Sequence, residues 1–120
     1  MRFLCLIYMP ADLDRTLSPS EGDTLIAEHF AYDEGLTRKG TLVLSDALET
    51  PDKAIVIRPP GSALATTDGP FVETKEHLAG FYVVEAADMA GATEIARRIP
   101  SAKYGAIEIR PIRILTLPST

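Results

Sequence analysis

Apolar residues run without a break from Phe3 to Met9 (FLCLIYM), so a strand formed there avoids water on both of its alternating faces. Such a strand belongs in the middle of a sheet. After the link from Pro10 to Leu17, Ser18-Pro19-Ser20-Glu21 supplies an N-cap hydroxyl, a proline at the first helical position and a reciprocal capping glutamate. The helix predicted to follow carries Leu25, His29, Tyr32 and Leu36 on one face, with Ile26 and Phe30 beside them, and ends near Gly40. Thr41–Leu48 and Ala54–Arg58 read as strands joined by the turn residues Glu49 to Asp52, which predicts a hairpin. A shorter hairpin turn is predicted at Asp68-Gly69, with Pro70 limiting the pairing beyond it. Leu78–Glu85 is a further strand, and Asp88 caps a helix carrying Met89, Ala92, Ile95, Ala96 and Ile99 that Pro100 stops. The last predicted strand, Ala106–Leu115, buries Ile107 and Ile109 and changes phase around Pro111.

Strand, helix, strand, a small ribbon, then strand, helix, strand is the order of an α+β, ferredoxin-like split βαβ sandwich with an inserted β-hairpin. Both helices then lie on one face of the sheet. The first strand is apolar on both faces, so the uncovered face is expected to meet a second copy of the chain in a homodimer.

The length of 120 residues suits one domain spanning residues 1–120, and 46% hydrophobic with 24% charged residues is ordinary globular usage. A net charge of -5 argues against a nucleic-acid partner, because a phosphate-backbone binder needs clustered Lys and Arg. The single cysteine, Cys5, lies in an apolar run and fits a reducing, cytoplasmic setting. No stretch approaches the roughly 20 apolar residues that cross a bilayer, so no membrane partner is expected.

Candidate chemistry gathers in two places. His29 is the candidate general acid or base, with Asp46 on the following strand as its candidate carboxylate partner. A histidine on an apolar helix face is more commonly a core residue with one satisfied hydrogen bond. From Thr66 to Gly80, the carboxylates of Asp68, Glu73 and Glu76, the amine of Lys75 and the ring of Phe71 follow a tight turn and could surround a small ligand. The same segment could be a solvated hairpin with local ion pairs. Gly80, at the entry to an apolar strand, permits close approach of another backbone or a ligand. Glu108 and Arg110 alternate with Ile107 and Ile109 and so project from the face assigned to the dimer. His77 is the second histidine, and two histidines without matched carboxylate spacing predict no metal site. No cofactor-binding fingerprint is present, and no cofactor is expected.

Asp68-Gly69-Pro70-Phe71 followed by Glu73-Thr74-Lys75-Glu76 and Gly80-Phe81-Tyr82 resembles the signature of the YCII-related (DGPF) family. The resemblance extends to the opening FLCLIY strand, the helix leading to Gly40, Ile99-Pro100-Ser101-Ala102 and Ile107-Glu108-Ile109-Arg110-Pro111. It implies a ferredoxin-like fold paired into a dimeric α/β barrel, within a superfamily that includes small isomerases and monooxygenases acting in a cleft between sheet and helices. An active-site His–Asp pair in YCII-like relatives falls on His29 and Asp46, and Ala79-Gly80 stands where many relatives have two glycines. Family members are often encoded beside extracytoplasmic-function sigma factors, which implies a regulatory role. Three readings follow: a cofactor-free enzyme in which His29 moves a proton on a small polar metabolite held by Lys75 and Arg110; a non-catalytic dimer that binds a small molecule or a protein through the DGPF loop; and a loop whose Phe71, Glu73 and Lys75 serve dimerisation alone.

Overall fold

The computed structural model describes residues 1–61, the backbone of 66–68, and residues 75–119. In chain order the elements are β1 (Arg2–Pro10), a one-turn helix α1 (Leu13–Thr16), α2 (Pro19–Arg38), β2 (Leu42–Ala47), β3 (Ile55–Ile57), β4 (Thr66–Asp68), β5 (Glu76–Glu85), α3 (Met89–Arg97) and β6 (Ala106–Pro111). Four strands form an antiparallel sheet in the order β2-β5-β1-β6. This is the order of a ferredoxin-like domain, in which each half contributes one central and one edge strand.

α2 begins as its capping box dictates: the Ser18 hydroxyl accepts from the Glu21 N–H and the Glu21 carboxylate accepts from the Ser18 N–H. Gly40 ends it in the left-handed region, at φ 73°. α3 is capped by Asp88, whose carboxylate accepts from the Gly91 N–H. The Tyr32 hydroxyl donates to the Ile95 carbonyl across 2.6 Å and so ties α2 to α3 on the same side of the sheet.

The core lies between those helices and the inward face of the sheet. Phe3, Cys5, Ile7 and Met9 of β1 alternate inward and meet Tyr82, Val84, Leu36, Ala92, Ala96 and Ile99. Burial pushes the Cys5 thiol up to about 11, which keeps it protonated and inert. Leu4, Leu6 and Tyr8, with Phe81 and Val83 opposite them, alternate to the other face and are only half-buried.

β1 and β5 slip register between Ile7 and Tyr8: Ile7 faces Gly80 and Tyr8 faces Leu78, leaving Ala79 as the extra residue of a bulge. The Ala79 carbonyl accepts from the Leu48 N–H instead, at the end of β2. At Gly80 a Cβ atom would stand 2.8 Å from the Asp46 carbonyl oxygen, so the close approach anticipated there is that of the β2 backbone.

Two expectations are corrected. β3 does not pair with β2; it pairs with β4 in a separate ribbon, with Ile55 opposite Asp68. Glu49 to Asp52 does not close a tight hairpin: Pro51–Lys53 winds into a 3₁₀ turn, and the strand after it, β3, pairs with β4. The final strand ends at Pro111 rather than continuing to Leu115. Phe3 is opposite Pro111 and the Ile112 N–H reaches the carbonyl of Arg2, the first residue of β1, so the two strands end together.

Candidate active site

α2 carries two polar side chains on its inward face one turn apart, His29 and Asp33, a four-residue spacing that aligns them on a helix. β5 presents the Tyr82 hydroxyl between them. His29 Nδ1 lies 2.8 Å from the Tyr82 hydroxyl, and that hydroxyl donates to Asp33 Oδ1. The Ser45 hydroxyl of β2 donates to Asp33 Oδ2 at 3.0 Å. On the other side of the ring, His29 Nε2 lies 2.5 Å from the Ser101 hydroxyl. Ser101 belongs to a 3₁₀ turn (Pro100–Lys103) that follows α3, and it is buried at 5% exposure. Lys103 of the same turn pairs with Glu28 of α2 at 2.7 Å, holding the turn against the helix.

Counting donors assigns the protons. A carboxylate only accepts, so the Tyr82 proton points to Asp33 and the Tyr82 oxygen accepts from His29 Nδ1–H. Burial is the largest influence on His29 and lowers its pKa below the ordinary 6.5, against the opposing pull of Asp33, so the ring is neutral at neutral pH. Nε2 then has a lone pair and accepts from the Ser101 hydroxyl. Burial first, and the hydrogen bond to Asp33 second, push the Tyr82 phenol far above its usual range, so it stays a donor. The result is one directed chain from Ser101 through His29 and Tyr82 to Asp33.

This chain forms one wall of a cavity of about 330 Å³ between α2 and the sheet. The rest of the lining is mostly apolar: Ile7, Ile26, Phe30, Ala47 and Ala79. Among the described residues no Lys or Arg lines it.

Of the sequence-predicted residues, His29 sits in the cavity wall and Asp46 borders it. The register sets Ser45 beside Tyr82 and Asp46 beside Phe81, so by alternation Ser45 turns toward α2 and the Asp46 side chain turns to the other face. The carboxylate hydrogen-bonded into the histidine network is Asp33. Glu108 and Arg110 lie on the sheet face without helices, where Glu108 accepts from the Tyr8 hydroxyl at 3.0 Å. Lys75 and Glu76 are exposed at the start of β5, and the Lys75 carbonyl accepts from the Ala11 N–H. Asp68 closes β4, and Phe71 and Glu73 lie outside the described residues. His77 lines a second cavity, nearer the N-terminus of α2. Sequence reasoning missed Asp33, Ser45, Tyr82 and Ser101. The His29/Asp33 spacing was a usable signal for the first, whereas Tyr82 and Ser101 arrive through long-range packing. Among the described residues no three His, Cys, Asp or Glu side chains are grouped as metal ligands, and no helix is long and apolar enough to cross a membrane.

The fold and cavity define an α+β, ferredoxin-like protein with a buried histidine network in the cleft between helix and sheet. The chain belongs to the YCII-related domain family, whose model matches residues 1–116. It is 28% identical over 116 residues to an uncharacterized protein of Rhizobium meliloti (strain 1021), covering 95% of this chain and 94% of that one. Its fold is also similar to that of 5-chloro-2-hydroxyhydroquinone dehydrochlorinase from Burkholderia phenoliruptrix AC1100, solved with 2,5-dihydroxybenzoquinone. That similarity has a TM-score of 0.56 at 17% identity and covers 94% of each chain.

Because burial lowers the His29 pKa, the unfolded chain binds this proton more readily than the folded one. The stabilisation associated with neutral His29 is therefore complete above about 6.5 and is lost as pH falls through the lower, folded value. Urea unfolding at a series of pH values should show that loss in the wild type and lack this component in His29→Gln.

Proposed function

We propose that this protein is a proton-transfer enzyme acting on a small, uncharged, hydroxylated or quinone-like ring. The observation that carries the reading is a histidine kept neutral by burial, linked to Ser101 on one side and through Tyr82 to Asp33 on the other, in the wall of an apolar cavity. With Asp33 in the wall and no Lys or Arg lining the cavity among the described residues, an anionic substrate would meet an uncompensated carboxylate. Lys75 and Arg110 lie outside this lining. The 2,5-dihydroxybenzoquinone bound to the structurally similar dehydrochlorinase is a single six-membered ring, a size that this cavity admits.

The step is a relay. A substrate C–H or O–H bond breaks and its proton passes to the Ser101 oxygen as the Ser101 proton passes to His29 Nε2. The imidazolium so formed is stabilised by Asp33, through Tyr82 and through its own field. Return of the proton to a different substrate atom completes an isomerisation or assists departure of a leaving group.

A binding role without turnover is the second reading. It is favoured by the fact that both ring nitrogens of His29 already have protein partners. Resorcinol in deuterium oxide separates the two. Wild-type protein should accelerate exchange of its ring hydrogens as followed by proton NMR, and His29→Gln should lose about 100-fold or more of that acceleration. Binding without exchange would leave the second reading, and no binding would overturn the ring-substrate proposal.

The assembly that suits this architecture is a homodimer through the open sheet face. The molecule measures 52 × 47 × 19 Å, and its short dimension accommodates one helix layer on one sheet. Among the described residues no further layer covers Leu4, Leu6, Phe81 and Val83, which are only half-buried. Glu108 and Arg110 on the same face supply opposite charges that a two-fold axis can bring together. Sedimentation should give a dimer for the wild type and a monomer for Leu6→Asp; a monomeric wild type would exclude this assembly.

A further inference from the structure

The cavity beside His29 adjoins a second one, of about 530 Å³, nearer the N-terminus of α2. The same elements line both. Along α2, Pro19 and Gly22 border the second cavity, and Ile26, His29 and Asp33 border the first, at successive inward turns. Along β1, Met9 borders the second and Ile7 the first, two residues apart on the same face. Ala79, the bulged residue of β5, lines both. The two spaces lie side by side under one helix and share Ala79 in their walls.

Leu13, Leu17 and Met9 give the second cavity an apolar wall. Its polar rim includes Asp14, Thr50 and His77 and, among the described residues, no Lys or Arg that would offer an anionic group a counter-charge. Gly22 stands in the helix interior, where glycine costs about 1 kcal/mol relative to alanine. Its φ is not in the left-handed region and a Cβ atom there would meet nothing within 4 Å, so neither backbone geometry nor crowding requires glycine. What its missing side chain leaves is open groove.

We propose that the second cavity is a substrate subsite for an uncharged alkyl or aryl substituent on the ring handled at His29, and that Gly22 is the residue that keeps it open. The proposal rests on the ring-substrate reading above and deepens it. A ring in the first cavity with a chain running past Ala79 places that chain between Met9, Leu13 and Gly22. Each methylene buried there strengthens binding about fourfold.

Resorcinol and 4-hexylresorcinol make the test. In the wild type, 4-hexylresorcinol should bind at least about tenfold tighter than resorcinol by titration followed in ¹H–¹⁵N NMR spectra. It should also shift the Gly22 and Thr50 amides in addition to the signals around His29. Gly22→Leu should fill the groove, remove that advantage and leave resorcinol affinity unchanged, while Gly22→Ala should retain most of it. Equal affinities in the wild type, or equal weakening of both compounds by Gly22→Leu, would overturn the subsite. Absence of resorcinol binding, with 4-hexylresorcinol still shifting Gly22 and Thr50, would overturn the ring-substrate reading and leave the apolar subsite standing. Failure of both compounds to bind would overturn both.

Discussion

The structure turns on one constraint: α2 carries an imidazole and a carboxyl group into an otherwise apolar layer, and each must find partners there. Polar groups removed from water cost free energy unless they are hydrogen-bonded, about 1–3 kcal/mol for each one left alone. Here they are matched in a single chain of donors and acceptors, with Ser101 and Tyr82 on either side of His29, and Tyr82 and Ser45 on Asp33. Four segments remote in sequence, α2, β2, β5 and the turn after α3, are held in register by that requirement. The same bonds fix the tautomer of the histidine, so the demand for stability and the preparation of a basic nitrogen are met by one arrangement.

The sheet departs from regularity where it borders the cavity. The bulge falls at Ala79, and the missing side chain at Gly80 lets the β2 backbone close against β5. His29, the bulge and Gly22 thus border neighbouring spaces along one helix.

Much of the architecture was legible in the sequence because it was written in local signals. The capping box at Ser18, the Asp88 cap, the unbroken apolar run of β1 and the stop at Pro100 each act within a few residues. The pairing of β3 was misread because turn residues say where a chain bends, and say nothing of which strand the next one pairs with. The end of β6 depended on where β1 begins, more than a hundred residues away. At the site, His29 could be found from its chemistry. Asp33 was available from its helical spacing but was overlooked in favour of a carboxylate on the next strand, whose register turns it away. Tyr82 and Ser101 read as a core aromatic and a turn serine, and only tertiary packing makes them partners of the histidine.

The central claim is the neutral, directed state of His29, and the most direct measurement is a long-range ¹H–¹⁵N NMR correlation spectrum of its ring at neutral pH. The account predicts a neutral imidazole protonated at Nδ1, with an unprotonated Nε2 facing Ser101. An imidazolium, or a neutral ring protonated at Nε2, would contradict it.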